Sequence, residues 1–176
     1  MKTGSKPLSR PKSDWIGPIY LDASALVKLY LPEPESDALD AALQGREDLV
    51  VSDLAVTEVV SALARRRREG EVSAQDLARL HRKILADLDA EIFRRAHLLP
   101  EVHRQAERLL MSIDTIALRA ADALHLALAL ASKAASIVTF DRRMAEAATR
   151  LALSPLPPNK ETVSHARGRT QAHENG

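Results

Sequence analysis

Three short apolar runs divide this chain, and each is set off by segments with helical periodicity. Residues 19–21 read Ile-Tyr-Leu, residues 49–51 read Leu-Val-Val, and residues 136–140 read Ser-Ile-Val-Thr-Phe. None alternates polar with apolar residues, so each fits a strand in a sheet covered on both faces. Strands that alternate with helices define an α/β domain with a largely parallel sheet.

The helical segments carry their own punctuation. A short helix over 25–31 is stopped by Pro32 and Pro34. Ser36 caps a second one through Gln44, with Gly45 behind it. Ser52 or Asp53 caps a long helix whose apolar side carries Leu54, Val56, Val59, Val60, Ala62 and Leu63, and which closes on Arg65 to Arg68. Ser73 to Asp76 resembles a capping box with Asp in place of Glu, opening a helix through Leu77, Leu80, Ile84 and Leu88. Residues 92–99 read equally as strand or helix end. Helices follow over 100–112, 120–131 and 142–151, and 153–156 reads as a last edge strand.

Composition narrows the function classes. The 176 residues carry 25 Lys and Arg against 24 Asp and Glu, a net charge of +1, which excludes a polybasic mode of nucleic-acid binding. One Trp, two Tyr and two Phe are too few for a base-stacking platform. The chain has no Cys, so disulfides, thiolate zinc sites and a cysteine nucleophile are excluded. That also fits a reducing, cytoplasmic setting. Residues 1–18 are polar and Pro-rich and lack the apolar run of a signal peptide, and no charge-free apolar stretch is long enough to cross a membrane. Residues 1–18 read as a flexible leader, 19–156 as the folded domain, and 157–176 as a flexible polar tail.

The chemistry lies in four acids. Asp22 and Asp141 each follow a predicted strand directly, and ligands of open α/β sheets bind beyond the carboxyl ends of the strands. Glu58 lies just inside the helix after the second strand. Asp122 stands among apolar residues near the start of the Ala- and Leu-rich helix, an expensive position for a lone charge. Singly, each has a plain role: a turn residue or cap for Asp22 and Asp141, a partner of the helix dipole for Asp122, a solvent-facing or Arg65-paired acid for Glu58. Together they imply mutual repulsion that a cation relieves, and oxygen-only ligation points to Mg²⁺ or Mn²⁺.

These acids stand in segments that resemble the four acidic motifs of PIN-domain proteins, most closely the VapC-type ribonuclease toxins of bacterial toxin–antitoxin pairs. The segments are Asp22-Ala-Ser24-Ala-Leu-Val-Lys-Leu-Tyr, Thr57-Glu58-Val-Val-Ser-Ala-Leu, Arg119-Ala-Ala-Asp122-Ala-Leu-His125-Leu-Ala and Thr139-Phe-Asp141-Arg-Arg-Met. The likeness spans residues 19–156. It implies a three-layer α/β/α sandwich with a mainly parallel central sheet and a Mg²⁺- or Mn²⁺-dependent endoribonuclease with Asp22, Glu58, Asp122 and Asp141 as its catalytic and metal-binding acids. Ser24 and Thr139 match hydroxyl positions beside them. The likeness also implies an RNA substrate, a homodimer, and a VapB-like antitoxin whose C-terminal segment covers the site.

Smaller signals carry two meanings. Arg65 to Arg68 read first as a solvated last turn and second as a phosphate rail. Arg119 and Arg142 flank two of the acids and are better placed to touch RNA, although Arg119 also reads as a salt-bridge partner of Asp122. His125 reads as a packed core histidine, and Ser24 as a helix cap before a site hydroxyl. The alternatives to a toxin are a housekeeping RNA-processing nuclease and a non-catalytic RNA- or partner-binding domain of the same fold. A haloacid dehalogenase-type phosphatase is disfavoured, because Ser24 stands where that family has a second Asp.

Overall fold

The structure, a computed structural model, describes residues 15–157. Five strands are present among them: β1 (Ile19–Leu21), β2 (Leu49–Ser52), β3 (Arg94–Ala96), β4 (Ser136–Val138) and β5 (Ser154–Leu156). The helices are α1 (Ala23–Lys28), α2 (Ser36–Leu43), α3 (Asp53–Arg68), α4 (Ala74–Asp89), α5 (Pro100–Ser112), α6 (Ala120–Ala131) and α7 (Arg142–Arg150). The strands form one sheet in the order β3-β2-β1-β4-β5, and every neighbouring pair is parallel.

Side chains on a strand point alternately to the two faces, and here both faces are dry. Ile19, Leu21, Leu49, Val51 and Val138 pack against α1 to α4, while Tyr20, Val50 and Ile137 pack against α5 to α7. The central strands are mostly apolar for that reason, with Ser52 and Ser136 as buried polar exceptions at strand ends. Full burial of each such aliphatic side chain contributes roughly 1.5–3 kcal/mol. The three-layer sandwich expected from the resemblance is the observed architecture.

The strand order places a crevice at a definite point. From β1 the chain crosses to β2 on one side, and from β4 it crosses to β5 on the other. Between β1 and β4 the connections therefore part, which opens a crevice beyond their carboxyl ends. Asp22 directly follows β1, and Asp141 lies three residues past the end of β4.

Local departures from expectation have local causes. Helix α1 starts at Ala23 because Asp22 caps it, accepting the Ala25 N–H at 2.8 Å. Ser36 does not cap α2. Glu35 occupies the N-cap position, with φ 69° and no side-chain capping bond, and the Ser36 hydroxyl instead turns back, accepting the Glu33 N–H and donating to Leu31 O. Strand β4 ends at Val138, two residues early, because the Phe140 N–H leaves the ladder for Ser24 Oγ. The ambiguous stretch at 92–99 contains the edge strand β3.

Most of the expected leader and tail lies outside the described residues. The described part of the leader is tied to the domain: Arg46 donates to Trp15 O at 2.9 Å, Ser136 donates to Ile16 O, and Pro18 O accepts the Ala135 N–H at 2.8 Å. The folded unit thus includes Trp15 to Pro18.

Candidate active site

Asp22, Glu58, Asp122 and Asp141 all line one open cleft of about 590 Å³ at the carboxyl edge of the sheet. Four separate elements supply them. Among the described residues, however, no three acids or histidines come close enough to form a ready-made metal cage. The acids share a cleft without being drawn onto one point.

Each acid commits one carboxylate oxygen to a hydrogen bond, local for the three Asp and long-range for Glu58. Asp22 Oδ1 accepts from Ser24 Oγ at 2.7 Å and from Ala25 N. Asp141 Oδ1 caps α7 through the N–H groups of Arg143 and Met144. Asp122 Oδ2 accepts the backbone N–H of Arg119 at 2.9 Å. Glu58 Oε2 lies 2.6 Å from His125 Nε2. The plain cap readings of Asp22 and Asp141 are therefore correct as far as they go, and Asp122 sits in the first turn of α6, as its helix-dipole reading expects. The second oxygen of each acid lies outside these bonds.

Asp22 is the most buried of the four, with 1% of its surface exposed. Burial pushes its carboxyl above the ordinary value, while the Thr139 and Ser24 hydroxyls and the Ala25 N–H pull it back part of the way. Thr139 also accepts the Asp141 N–H at 3.0 Å, so one hydroxyl acts on two of the acids.

Several expectations need correction. Ser24 is not a cap; it sits inside the first turn of α1 and bonds Asp22 and Phe140. Arg119 holds Asp122 through its backbone and not as a salt-bridge partner, which leaves its guanidinium to line the cleft. Arg142 is absent from the cleft lining. Its neighbour Arg143 reaches Asp141 Oδ2 at 3.6 Å. Of the basic run, Arg65 and Arg66 line the cleft; Arg65 is exposed, as the solvated-turn reading expects, whereas Arg66 is half-buried and ion-paired to Glu33. Glu58 pairs with His125 and not with Arg65.

Three cleft features escaped the sequence. Glu33, from the loop after α1, lines the cleft, paired with Arg66 and with Lys28. Lys28 also lies 4.6 Å from the centre of the Phe140 ring. Behind Glu58, His125 bonds Tyr20, and Tyr20 bonds Ser52. The available signal for that chain was a Tyr within an otherwise aliphatic strand, since a buried phenol hydroxyl requires a partner.

An oxygen-lined cleft at the switch point of a parallel α/β/α sandwich defines the class of site, and the comparisons define the family. Residues 19–150 match the PIN domain. Ribonuclease VapC46 of Mycobacterium tuberculosis is 36% identical over 143 residues, covering 80% of this chain and 98% of that protein. Ribonuclease VapC35 of the same organism is 36% identical over 149 residues, covering 81% and 98%. The chain belongs to the PIN-domain family, and within it to the VapC type. Solved structures share the fold. FitAcB from Neisseria gonorrhoeae aligns with a TM-score of 0.61 at 20% identity, over 78% of this chain and 95% of that one. VapC20 of M. tuberculosis, a toxin that cleaves the sarcin–ricin loop, aligns with a TM-score of 0.58 at 18% identity, over 73% and 94%.

Proposed function

We propose that this chain is a metal-dependent endoribonuclease and the toxin of a toxin–antitoxin pair. The observation that carries the reading is the gathering of four acids from four elements in one cleft, in a chain 36% identical to two VapC ribonucleases. The donor chemistry fits a hard divalent cation, Mg²⁺ or Mn²⁺. The cleft acids offer only oxygen, and both nitrogens of His125 are already engaged. The buried charge of Asp22 gains from a cation, since burial opposes it.

Asp22, Asp122 and Asp141 are the residues that would hold the ion. When bound, such an ion activates water as a nucleophile and offsets charge on the phosphoryl oxygens. Glu58, the acid with the longest arm, orients the attacking water and takes its proton. The water oxygen bonds to phosphorus, and the bond from phosphorus to the 3′ oxygen breaks. That oxygen takes a proton from solvent, which leaves a 5′-phosphate and a 3′-hydroxyl. Arg119 and Arg65 bind the flanking phosphates, where a fixed guanidinium matches phosphate geometry. An antitoxin silences the site by presenting Arg or Lys to the same acids, and the working form is a homodimer. No helix among the described residues is long and apolar enough to cross a membrane.

The test is cleavage of a single-stranded RNA by the purified chain, with Mg²⁺ and with chelator, alongside induction of the chain in bacteria. Cleavage that needs the ion, yields 5′-phosphate ends and is lost in Asp122→Asn supports the nuclease. Growth arrest on induction supports the toxin. Cleavage without arrest favours the housekeeping nuclease, and neither result leaves the non-catalytic domain.

A further inference from the structure

Glu58 on α3 and His125 on α6 meet at 2.6 Å, and behind His125 runs a closed polar path through the core. His125 Nδ1 lies 2.7 Å from the Tyr20 hydroxyl, which lies 2.7 Å from Ser52 Oγ. Ser52 Oγ accepts the Ala55 N–H at 3.1 Å and so caps α3, the helix that carries Glu58. His125, Tyr20 and Ser52 are at most 2% exposed. The path therefore starts at the cap of α3, crosses β1 and α6, and returns to α3 at Glu58.

Proton accounting gives the path a direction. Ser52 Oγ already accepts from Ala55, so its own hydrogen goes to Tyr20. The Tyr20 hydrogen goes to His125 Nδ1, which leaves the remaining hydrogen on Nε2, pointing at the Glu58 carboxylate. In the reverse direction the Ser52 hydrogen has no acceptor among the described residues. A bare Nε2 would also face carboxylate Oε2 with no hydrogen between them.

We infer that His125 is a positioning residue for the proposed reaction, oriented by Tyr20 and Ser52, and that it locks Glu58 by one oxygen so that the other is presented to the cleft. The inference rests on the reading of the cleft as a metal-dependent nuclease site. Glu58 has three side-chain torsions, and its side chain is 35% exposed. Without an anchor it would sample several rotamers, and a catalytic carboxylate must be held to roughly 0.5 Å. A charge-assisted hydrogen bond from a fully packed imidazole supplies that anchor. Hydrogen-bond partners that orient the acids of a metal site typically change metal affinity or activity about 10–100-fold when removed.

The test begins with the metal-free wild-type protein, whose ¹⁵N histidine spectrum should show His125 with its hydrogen on Nε2. A hydrogen on Nδ1 would overturn the inference without reference to any metal. Tyr20→Phe removes one oxygen and retains the ring. It should mix the two His125 tautomers, weaken Mn²⁺ binding measured by calorimetry about 10-fold, and lower kcat about 10-fold or more with KM for RNA unchanged. His125→Gln keeps a donor near the Nε2 position and should recover part of what His125→Leu loses. If Tyr20→Phe and His125→Leu lower thermal stability but leave Mn²⁺ affinity and kcat at wild-type values, the path is only structural and the inference is wrong. If wild type neither binds Mn²⁺ nor cuts RNA, the nuclease reading itself has failed, and the inference fails with it.

Discussion

Ser24 donates its hydroxyl hydrogen to Asp22 Oδ1 across 2.7 Å, and Ser24 Oγ in turn accepts the Phe140 N–H at 2.9 Å. One hydroxyl thus ties the acid after β1 to the segment that leads from β4 to Asp141. Ser24→Ala would leave the Phe140 N–H without its partner and Asp22 with one bond fewer. A loss of about 1–3 kcal/mol is expected in urea unfolding, with RNA cleavage reduced as well. Unchanged stability would show that solvent replaces the hydroxyl at no cost.

Asp141 has two separable roles, as cap of α7 and as cleft acid. Ser is also a good cap but offers no carboxylate. Asp141→Ser should therefore keep most of the stability and lose cleavage, while Asp141→Ala should lose both, with about 0.5–2 kcal/mol of stability gone. Equal melting of the two variants would deny the capping role. Full activity in Asp141→Ser would remove Asp141 from the reaction.

Arg65 and Arg66 line the same cleft but differ in their partners. Arg66 is ion-paired to Glu33, whose side chain is only 16% exposed, whereas the Arg65 guanidinium has no hydrogen-bond or ion-pair partner among the described residues. Arg65→Ala should leave stability unchanged, weaken RNA binding, and reduce the salt dependence of that binding by about one phosphate contact. Arg66→Ala should instead lower stability, because Glu33 keeps only Lys28. Thermal melts and filter binding over a salt series separate the two.

Much of this site was legible because it depends on chain-local signals. Asp22 and Asp141 declare themselves by following apolar runs, and strand–helix alternation carries them to one sheet edge. Glu33 was not legible. It lies between Pro32 and Pro34 with no motif around it, and only the tertiary packing of that loop on α3 brings it to Arg66. The Tyr20 path was hidden for a related reason: Tyr20 and Ser52 read as core and cap, and their contact spans 32 residues. His125 was correctly read as packed, yet packing did not reveal that its Nε2 faces Glu58. The start of α1 was misjudged because the Asp22 cap competes with a helix pattern that looks stronger from Ala25 onward.

Asp22 supplies a pH dependence. Burial raises its folded-state value above the ordinary 3.8, so the folded protein holds this proton more tightly than the unfolded chain. In chelator, the stability it lends is present below the ordinary value and is lost as pH rises through the raised one. Asp22→Asn has no proton to lose. The stability advantage of Asp22→Asn over wild type in chelator should therefore widen as the pH rises above the ordinary value of 3.8, read by denaturant unfolding. A gap that narrows would contradict the raised value.

The central claim is that the four acids serve a divalent cation, and thermal unfolding of wild type and Asp22→Asn, each in chelator and in Mg²⁺, tests it most directly. Wild type should be stabilised by Mg²⁺, by about 2.7 kcal/mol at one hundred times the dissociation constant, since the ion binds the folded state alone. Asp22→Asn should match or exceed wild type in chelator and gain much less from Mg²⁺. A wild type indifferent to Mg²⁺, together with an Asp22→Asn protein strongly destabilised in chelator, would make Asp22 a structural cap and contradict the account.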